Sequence, residues 1–139
     1  MSVFIDTGVF VGAALRGDGR AKRASAALQQ AAGLHPVTTD HVLIEVWHLL
    51  RARAGRDIAN RFWFALRETP VVVECVNRAD LERAEGIAAV WTDQDFDMVD
   101  CTSFAVMERL GCTAAASFDQ DFAVYRYGTD RRKAFEIIG

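Results

Sequence analysis

The chain has little of several things that would narrow its role at once. Its 139 residues include only two prolines and three cysteines. Cys75, Cys101 and Cys112 form no Cys-x-x-Cys pair, and three thiols cannot all pair with one another. This is not the pattern of a disulfide-stapled secreted scaffold, and reduced, packed thiols are expected. No apolar run approaches the roughly 18 residues of a membrane span. The opening Met1-Ser2-Val3-Phe4-Ile5-Asp6 has no charged leader before a long apolar stretch, so a cytoplasmic protein with no membrane partner is expected. There is no repeat, low-complexity tract or linker, and the length suits one domain over residues 1–139. No Ser-His-Asp or Cys-His arrangement that could supply a nucleophile can be placed.

Charge of one sign is also scarce. The net charge of −3 is not that of a typical nucleic-acid binder. Yet of the sixteen basic residues, fourteen of them arginine, eleven fall in three groups. These are Arg16, Arg20, Lys22 and Arg23; Arg51, Arg53 and Arg56; and Arg126, Arg131, Arg132 and Lys133. Arginine forks suit phosphate, but such groups are also ordinary solvated faces, so charge alone leaves the partner open.

What is present is a regular alternation of short apolar runs and longer helical periods, which predicts an α/β fold with a mostly parallel sheet. Val3–Ile5 reads as a buried strand ending on Asp6, followed by a helix over Gly8–Leu15. Ala21–Ala32 reads as an alanine-rich helix stopped by Gly33, and His35–Thr38 as the second strand. Thr38-Thr39-Asp40 offers cap chemistry for a helix to Ala54, ended by Gly55. Asp57–Glu68 is expected to be helical, then Val71–Val73 a strand, Arg78–Trp91 a helix and Thr92–Asp97 an acidic loop. Val99–Leu110 is expected to be a helix ending at Gly111, with strands at Thr113–Ser117 and Phe135–Ile138.

This reading brings four distant acids toward one place. Ligands of open parallel sheets bind at the carboxyl ends of the strands. Asp6 ends the first strand, Asp119 lies just past Thr113–Ser117, and Asp100 and Glu45 sit in the first two turns of helices that start at that edge. Carboxylates crowded together repel one another unless a cation neutralises them, and Mg²⁺ takes oxygen ligands. Singly, each acid has a plainer reading: Asp6 and Asp100 as helix caps, Glu45 as an exposed residue paired with an arginine, and Asp119 as a turn residue.

The run Val3-Phe4-Ile5-Asp6-Thr7-Gly8-Val9-Phe10, with Thr38-Thr39-Asp40-His41-Val42-Leu43-Ile44-Glu45, resembles a PIN domain. So do Asp97-Met98-Val99-Asp100-Cys101-Thr102-Ser103-Phe104-Ala105-Val106-Met107 and Ser117-Phe118-Asp119-Gln120-Asp121-Phe122. Together they are similar to the VapC-like toxin ribonucleases of toxin–antitoxin pairs. The resemblance implies a three-layer α/β/α PIN-like domain with a central, mostly parallel sheet of four to five strands. It further implies an endoribonuclease dependent on Mg²⁺ or Mn²⁺, an RNA substrate, a cognate antitoxin protein and a homodimer. Carried over residue by residue, Asp6 and Asp100 would be the principal metal ligands, with Glu45 and Asp119 acting directly or through water. Thr7 and Ser117 match small hydroxyl residues that orient the ligands or bond the scissile phosphate. Asp95, Asp97 and Asp121 are further acids with no assigned role.

Other readings stand beside this one. An RNA-processing nuclease without an antitoxin, or a PIN module kept only for binding, would share these motifs. His41, Glu45 and His48 share a helix face, and Glu45-Val46-Trp47-His48 matches half of a di-iron carboxylate motif, but no second half is present. A HAD-like phosphatase would carry a second acid at position 8, where Gly8 stands. Phe62-Trp63-Phe64 cannot all enter one core: core packing is expected to take most of these aromatics, and one left exposed is a candidate anchor for an antitoxin helix or a dimer partner.

Overall fold

The computed structural model describes residues 2–139. The first strand, β1 (Val3–Ile5), is buried on both faces and leads through Asp6 into α1 (Thr7–Ala14). Then follow α2 (Ala21–Ala32), β2 (Pro36–Thr39), α3 (Asp40–Ala54) and α4 (Arg56–Ala65). After a 3-10 turn (Leu66–Glu68) come β3 (Val72–Glu74), α5 (Arg78–Val90), α6 (Met98–Leu110) and β4 (Ala114–Ala116). The short α7 (Gln120–Val124), β5 (Arg126–Tyr127), β6 (Lys133–Ala134) and β7 (Glu136–Ile138) complete the order.

The five-stranded sheet is wholly parallel, in the order β3-β2-β1-β4-β7. Parallel neighbours need crossover helices, and right-handed crossovers fix the layers. The chain steps from β1 to β2 to β3 with α1 to α4 on one face. It then crosses back over the other face with α5 and α6 to enter beside β1. The α1·α2, α1·α3, α3·α4 and α5·α6 contacts follow this division. The order reverses between β1 and β4, opening a crevice at their carboxyl ends.

Local chemistry sets most boundaries. The Thr39 hydroxyl accepts from the Val42 amide and caps α3, as its position before the helix predicts. Gly111, with φ of 66°, takes the left-handed turn that ends α6. The three alanines of β4 are fully buried between β1 and β7, leaving room for aromatic rings to pack nearby. Phe104 stacks on Tyr125 at 4.2 Å and meets Phe122 edge-on at 4.9 Å, tying α6 to the segment after β4.

Several expectations need correction. The helix expected over Asp57–Glu68 begins at Arg56 and tightens into the 3-10 turn from Leu66. The strand expected over Val71–Val73 runs Val72–Glu74; it is an edge strand, and Val72 and Val73 are exposed. Cys101 and Cys112 are packed, but Cys75 is exposed. Outside the main sheet, β5 and β6 form an unexpected antiparallel pair in the basic segment from Arg126 to Lys133. Of the three consecutive aromatics, Phe62 turns inward and meets Phe10 edge-on at 5.5 Å, while Trp63 and Phe64 stay exposed.

Candidate active site

The crevice beside β1 and β4 holds a cleft of about 270 Å³ lined by Asp6, Thr7, Glu45, Asp97, Asp100 and Asp119, with Gly8, Arg20 and Phe118. All four acids singled out in the sequence therefore share one cavity. They come from β1, α3, α6 and the segment after β4, and only the sheet topology brings them together.

Asp6 is 5% exposed. Its backbone continues the sheet by donating to the Ala116 carbonyl at 3.0 Å. It occupies the cap position of α1, but its side chain makes no cap bond. Instead its Oδ2 accepts from the Ser117 hydroxyl at 2.9 Å, while the same hydroxyl accepts from the Asp119 amide at 3.0 Å. Ser117 thus ties two acids from opposite sides of the crevice. Burial pushes the Asp6 carboxyl up to about 7, opposed by the Thr7 amide and the Ser117 hydroxyl and reinforced by the charges of Asp119 and Glu45.

Asp100 enters through a capping box. Its amide donates to Asp97 Oδ1 at 2.8 Å, and the Asp97 amide donates to Asp100 Oδ2 at 3.3 Å. Burial first, then the charges of Asp97 and Asp119, the neighbouring Asp121 carboxyl and the charge of Asp6, push Asp100 up to about 9. The Asp100 carboxyl lies close to that of Asp121, which is also raised, chiefly by burial. Glu45, half-buried on α3, is raised by burial and by the charges of Asp97 and Asp119. Asp119 caps α7, its Oδ1 accepting from the Asp121 amide at 2.9 Å. The plainer capping readings of Asp100 and Asp119 are physically real, and they coexist with placement in the cleft. Among the described residues, Glu45 pairs with no arginine, and no Lys or Arg forms an ion pair with Asp6, Asp97, Asp100, Asp119 or Asp121.

Thr7 is the other buried polar group of note. Its hydroxyl has no hydrogen-bond partner among the described residues, although it lies close enough to Glu45 to favour that carboxylate's charged form. A buried hydroxyl left without a partner costs free energy unless something not belonging to the fold completes it. The donor set around it is entirely oxygen, which fits a hard divalent cation with a phosphate ligand and not a soft metal.

Sequence reading missed two members of this group. One carboxylate oxygen each from Asp100, Asp119 and Asp121 lie within 4.8 Å of one another, and Asp97 lines the cleft. By sequence alone both are further acids with no assigned role. The signal was their position within three residues of an assigned acid, Asp97 three before Asp100 and Asp121 two after Asp119. Among the described residues His41, Glu45 and His48 form no such group, which removes the di-iron alternative.

Comparisons with known proteins follow the same lines. No curated protein matches the chain. Among solved structures it is similar to Mycobacterium tuberculosis VapC20, described as a sarcin-ricin loop cleaving toxin. The two are 34% identical with a TM-score of 0.79, over 86% of this chain and 92% of that one. The PIN domain profile matches residues 3–126, a span that holds every acid of the cleft. With the parallel sheet, the crevice between β1 and β4 and its carboxylates in place, the chain belongs to the PIN domain family and is a homologue of the VapC toxins.

Proposed function

We propose that the chain is a divalent-metal-dependent endoribonuclease, the toxin of a toxin–antitoxin pair, acting through Asp6, Glu45, Asp100 and Asp119. One observation carries the chemistry: a group of carboxylates in one cleft that no lysine or arginine neutralises among the described residues. Asp6 and Asp100 would hold the cation, with Glu45 and Asp119 completing its surroundings directly or through water. Bound Mg²⁺, or Mn²⁺, would polarise the scissile phosphate, lower the pKa of the attacking water and offset charge on the departing 3′ oxygen.

The chain's own residues do the positioning. Ser117 fixes the rotamer of Asp6 and the backbone of Asp119 with one hydroxyl. The capping box aims Asp100 from a rigid helix start, so little reorganisation is needed when substrate arrives. The free Thr7 hydroxyl can donate to a non-bridging phosphate oxygen. The arginine groups would hold flanking phosphates, which lets a net-acidic chain retain RNA. The description of the solved relative as a sarcin-ricin loop cleaving toxin makes structured ribosomal RNA the first substrate to test.

Two apolar surfaces suit the proposed protein partners. The larger, a cleft of about 870 Å³ between α1, α2 and α4, includes Phe10, Leu28, Ile58 and Phe62 and suits an apolar antitoxin helix. The smaller, with Ile44, Trp47, Trp63 and Phe64 on α3 and α4, suits the second copy of a homodimer.

The test is cleavage of total RNA with the ends mapped by primer extension. Mg²⁺ or Mn²⁺ should support cleavage, EDTA should stop it, and Asp6→Asn should remove it while keeping a native circular dichroism spectrum. Cleavage that persists in EDTA, or full activity in Asp6→Asn, would overturn the reading. A small antitoxin co-purifying in stoichiometric amount separates a toxin from a free-standing processing nuclease.

A further inference from the structure

We infer that Arg20, carried on the ring of Phe118 at the lip of the acidic cleft, is the side chain that grips a backbone phosphate of the RNA strand entering it. The inference rests on the ribonuclease reading above and names a binding residue within it.

Sixteen basic residues are present, yet Arg20 is the one cation among the described residues lining the cleft. A structural arginine would be tied up in close ion pairs, and this one makes only a single loose one. The nearest approach is Asp18 Oδ1, 3.9 Å from Nε, and that oxygen already accepts from the Arg20 amide at 2.8 Å. No Arg20 guanidinium nitrogen makes a hydrogen bond among the described residues. The acids of the same cavity do not capture it either, because the guanidinium is held over the Phe118 ring, 5.2 Å from its centre. Stacking on the face of a ring leaves the fork of N–H donors at the edge free, the geometry that matches two phosphate oxygens.

A second feature points the same way. Arg23 lies over the same ring at 4.9 Å, its Nη2 donating to the Gly139 carbonyl at 3.2 Å. Two like charges on one phenyl ring repel each other. An anion placed between them and the cleft would relieve that repulsion, and a phosphate diester is the anion an RNA strand brings. Phe118 itself stands between Ser117 and Asp119, so one short segment positions both the acids and the cation. The strand would be held at a fixed offset from the acids, by a group that does not neutralise them.

The experiment measures binding without turnover. A fluorescein-labelled single-stranded RNA oligonucleotide is titrated with protein in EDTA across a range of salt concentrations. Arg20→Ala should bind about tenfold more weakly. Its plot of log affinity against log salt should be shallower by about 0.7, the change for one lost phosphate contact on a single strand. Arg20→Lys should keep the slope and lose part of the affinity, since it keeps the charge and loses the fork. Phe118→Leu should weaken binding less than Arg20→Ala. Arg67→Ala, on the 3-10 turn at the opposite edge of the sheet, should match wild type. In Mg²⁺, Arg20→Ala should raise KM more than it lowers kcat. Wild-type affinity and slope in Arg20→Ala, or an Arg67→Ala defect equal to it, would overturn the inference. If wild type binds RNA through Arg20 but cleaves no RNA with any divalent cation, the ribonuclease reading fails and the binding assignment stands.

Discussion

Asp80 and Asp100 occupy the same local structure and meet opposite fates. Each is the third residue of a helix, α5 or α6, and each closes a capping box. The Asp80 amide donates to Asn77 and the Asp100 amide to Asp97, both at 2.8 Å. Both side chains are buried, at 3% and 6% exposure. Burial pushes each carboxyl up. At Asp80 the Arg109 guanidinium, bonding through Nε at 2.9 Å and Nη2 at 3.0 Å, outweighs burial together with the Asn77 amide, and the carboxyl ends below its usual range. At Asp100 the neighbours are Asp97, Asp119, Asp121 and Asp6, and the carboxyl is raised. A capping box therefore says how a carboxylate is held, not what it is for. The distinguishing feature is the missing cation, and it appears only once the fold is assembled.

The widest break in this comparison is expected from Asp100→Asn, which removes the uncompensated charge and keeps the shape. Cleavage should fall by roughly 10³-fold. The metal-free protein should meanwhile melt higher at pH 8, by about 3 °C or more. Asp80→Asn should do the reverse, lowering the melting temperature and sparing cleavage. Equal effects of the two substitutions on activity would erase the distinction.

Ser117→Ala should come next, with cleavage reduced by about 10 to 100-fold, because the tie between Asp6 and Asp119 is lost while every acid remains. An unchanged rate would show that the acids need no such tie.

Arg109→Ala turns the compensated site into an uncompensated one. Removing one partner of a buried pair strands the other, and Arg109 is itself about one-third exposed, which screens the loss. A destabilisation of about 2 kcal/mol in urea unfolding is expected, with wild-type cleavage per folded molecule.

The smallest effect is a pH dependence, and its sign follows from the two shifts. Asp6 and Asp100 are raised from 3.8 to about 7 and about 9, so the metal-free folded chain keeps protons that the unfolded chain has released. Their contribution to stability falls as pH climbs through that window. Asp80 is lowered, so its contribution is present above 3.8 and lost on acidification. The melting temperature of metal-free protein should drop by a few degrees from pH 5 to 9, and Asp100→Asn should flatten the curve. Mg²⁺ should restore most at the alkaline end.

Much of this was legible along the chain, where local chemistry decides. The cap at Thr39, the stop at Gly111, the strand that delivers Asp6 and the convergence of Glu45, Asp100 and Asp119 on one edge all follow from short-range pattern plus the rule for parallel sheets. What escaped depends on neighbours distant in sequence. Whether Val72 and Val73 are covered is settled by β3 being an edge, not by their apolarity. Which of Phe62, Trp63 and Phe64 turns inward is settled by Phe10 on another helix. The paired strands β5 and β6 are too short to leave a periodic trace. Asp121 joins the cleft group because α7 begins where it does, and a helix of five residues gives little warning.

The strand order also has a consequence in time. β4 wedges beside β1 although more than a hundred residues separate them in the chain, and Asp100 and Asp119 arrive with that late half. During synthesis the first half can display Asp6 and Glu45 but has nothing to set against them. Such long-range closure is slow relative to local helix formation. On the proposed mechanism the nascent chain should be harmless until β4 and Asp119 have been made, and a product truncated before Asp119 should cleave no RNA. If the chain is a toxin, its topology works as a delay, leaving its inhibitor time to be present when the last piece of the cleft arrives.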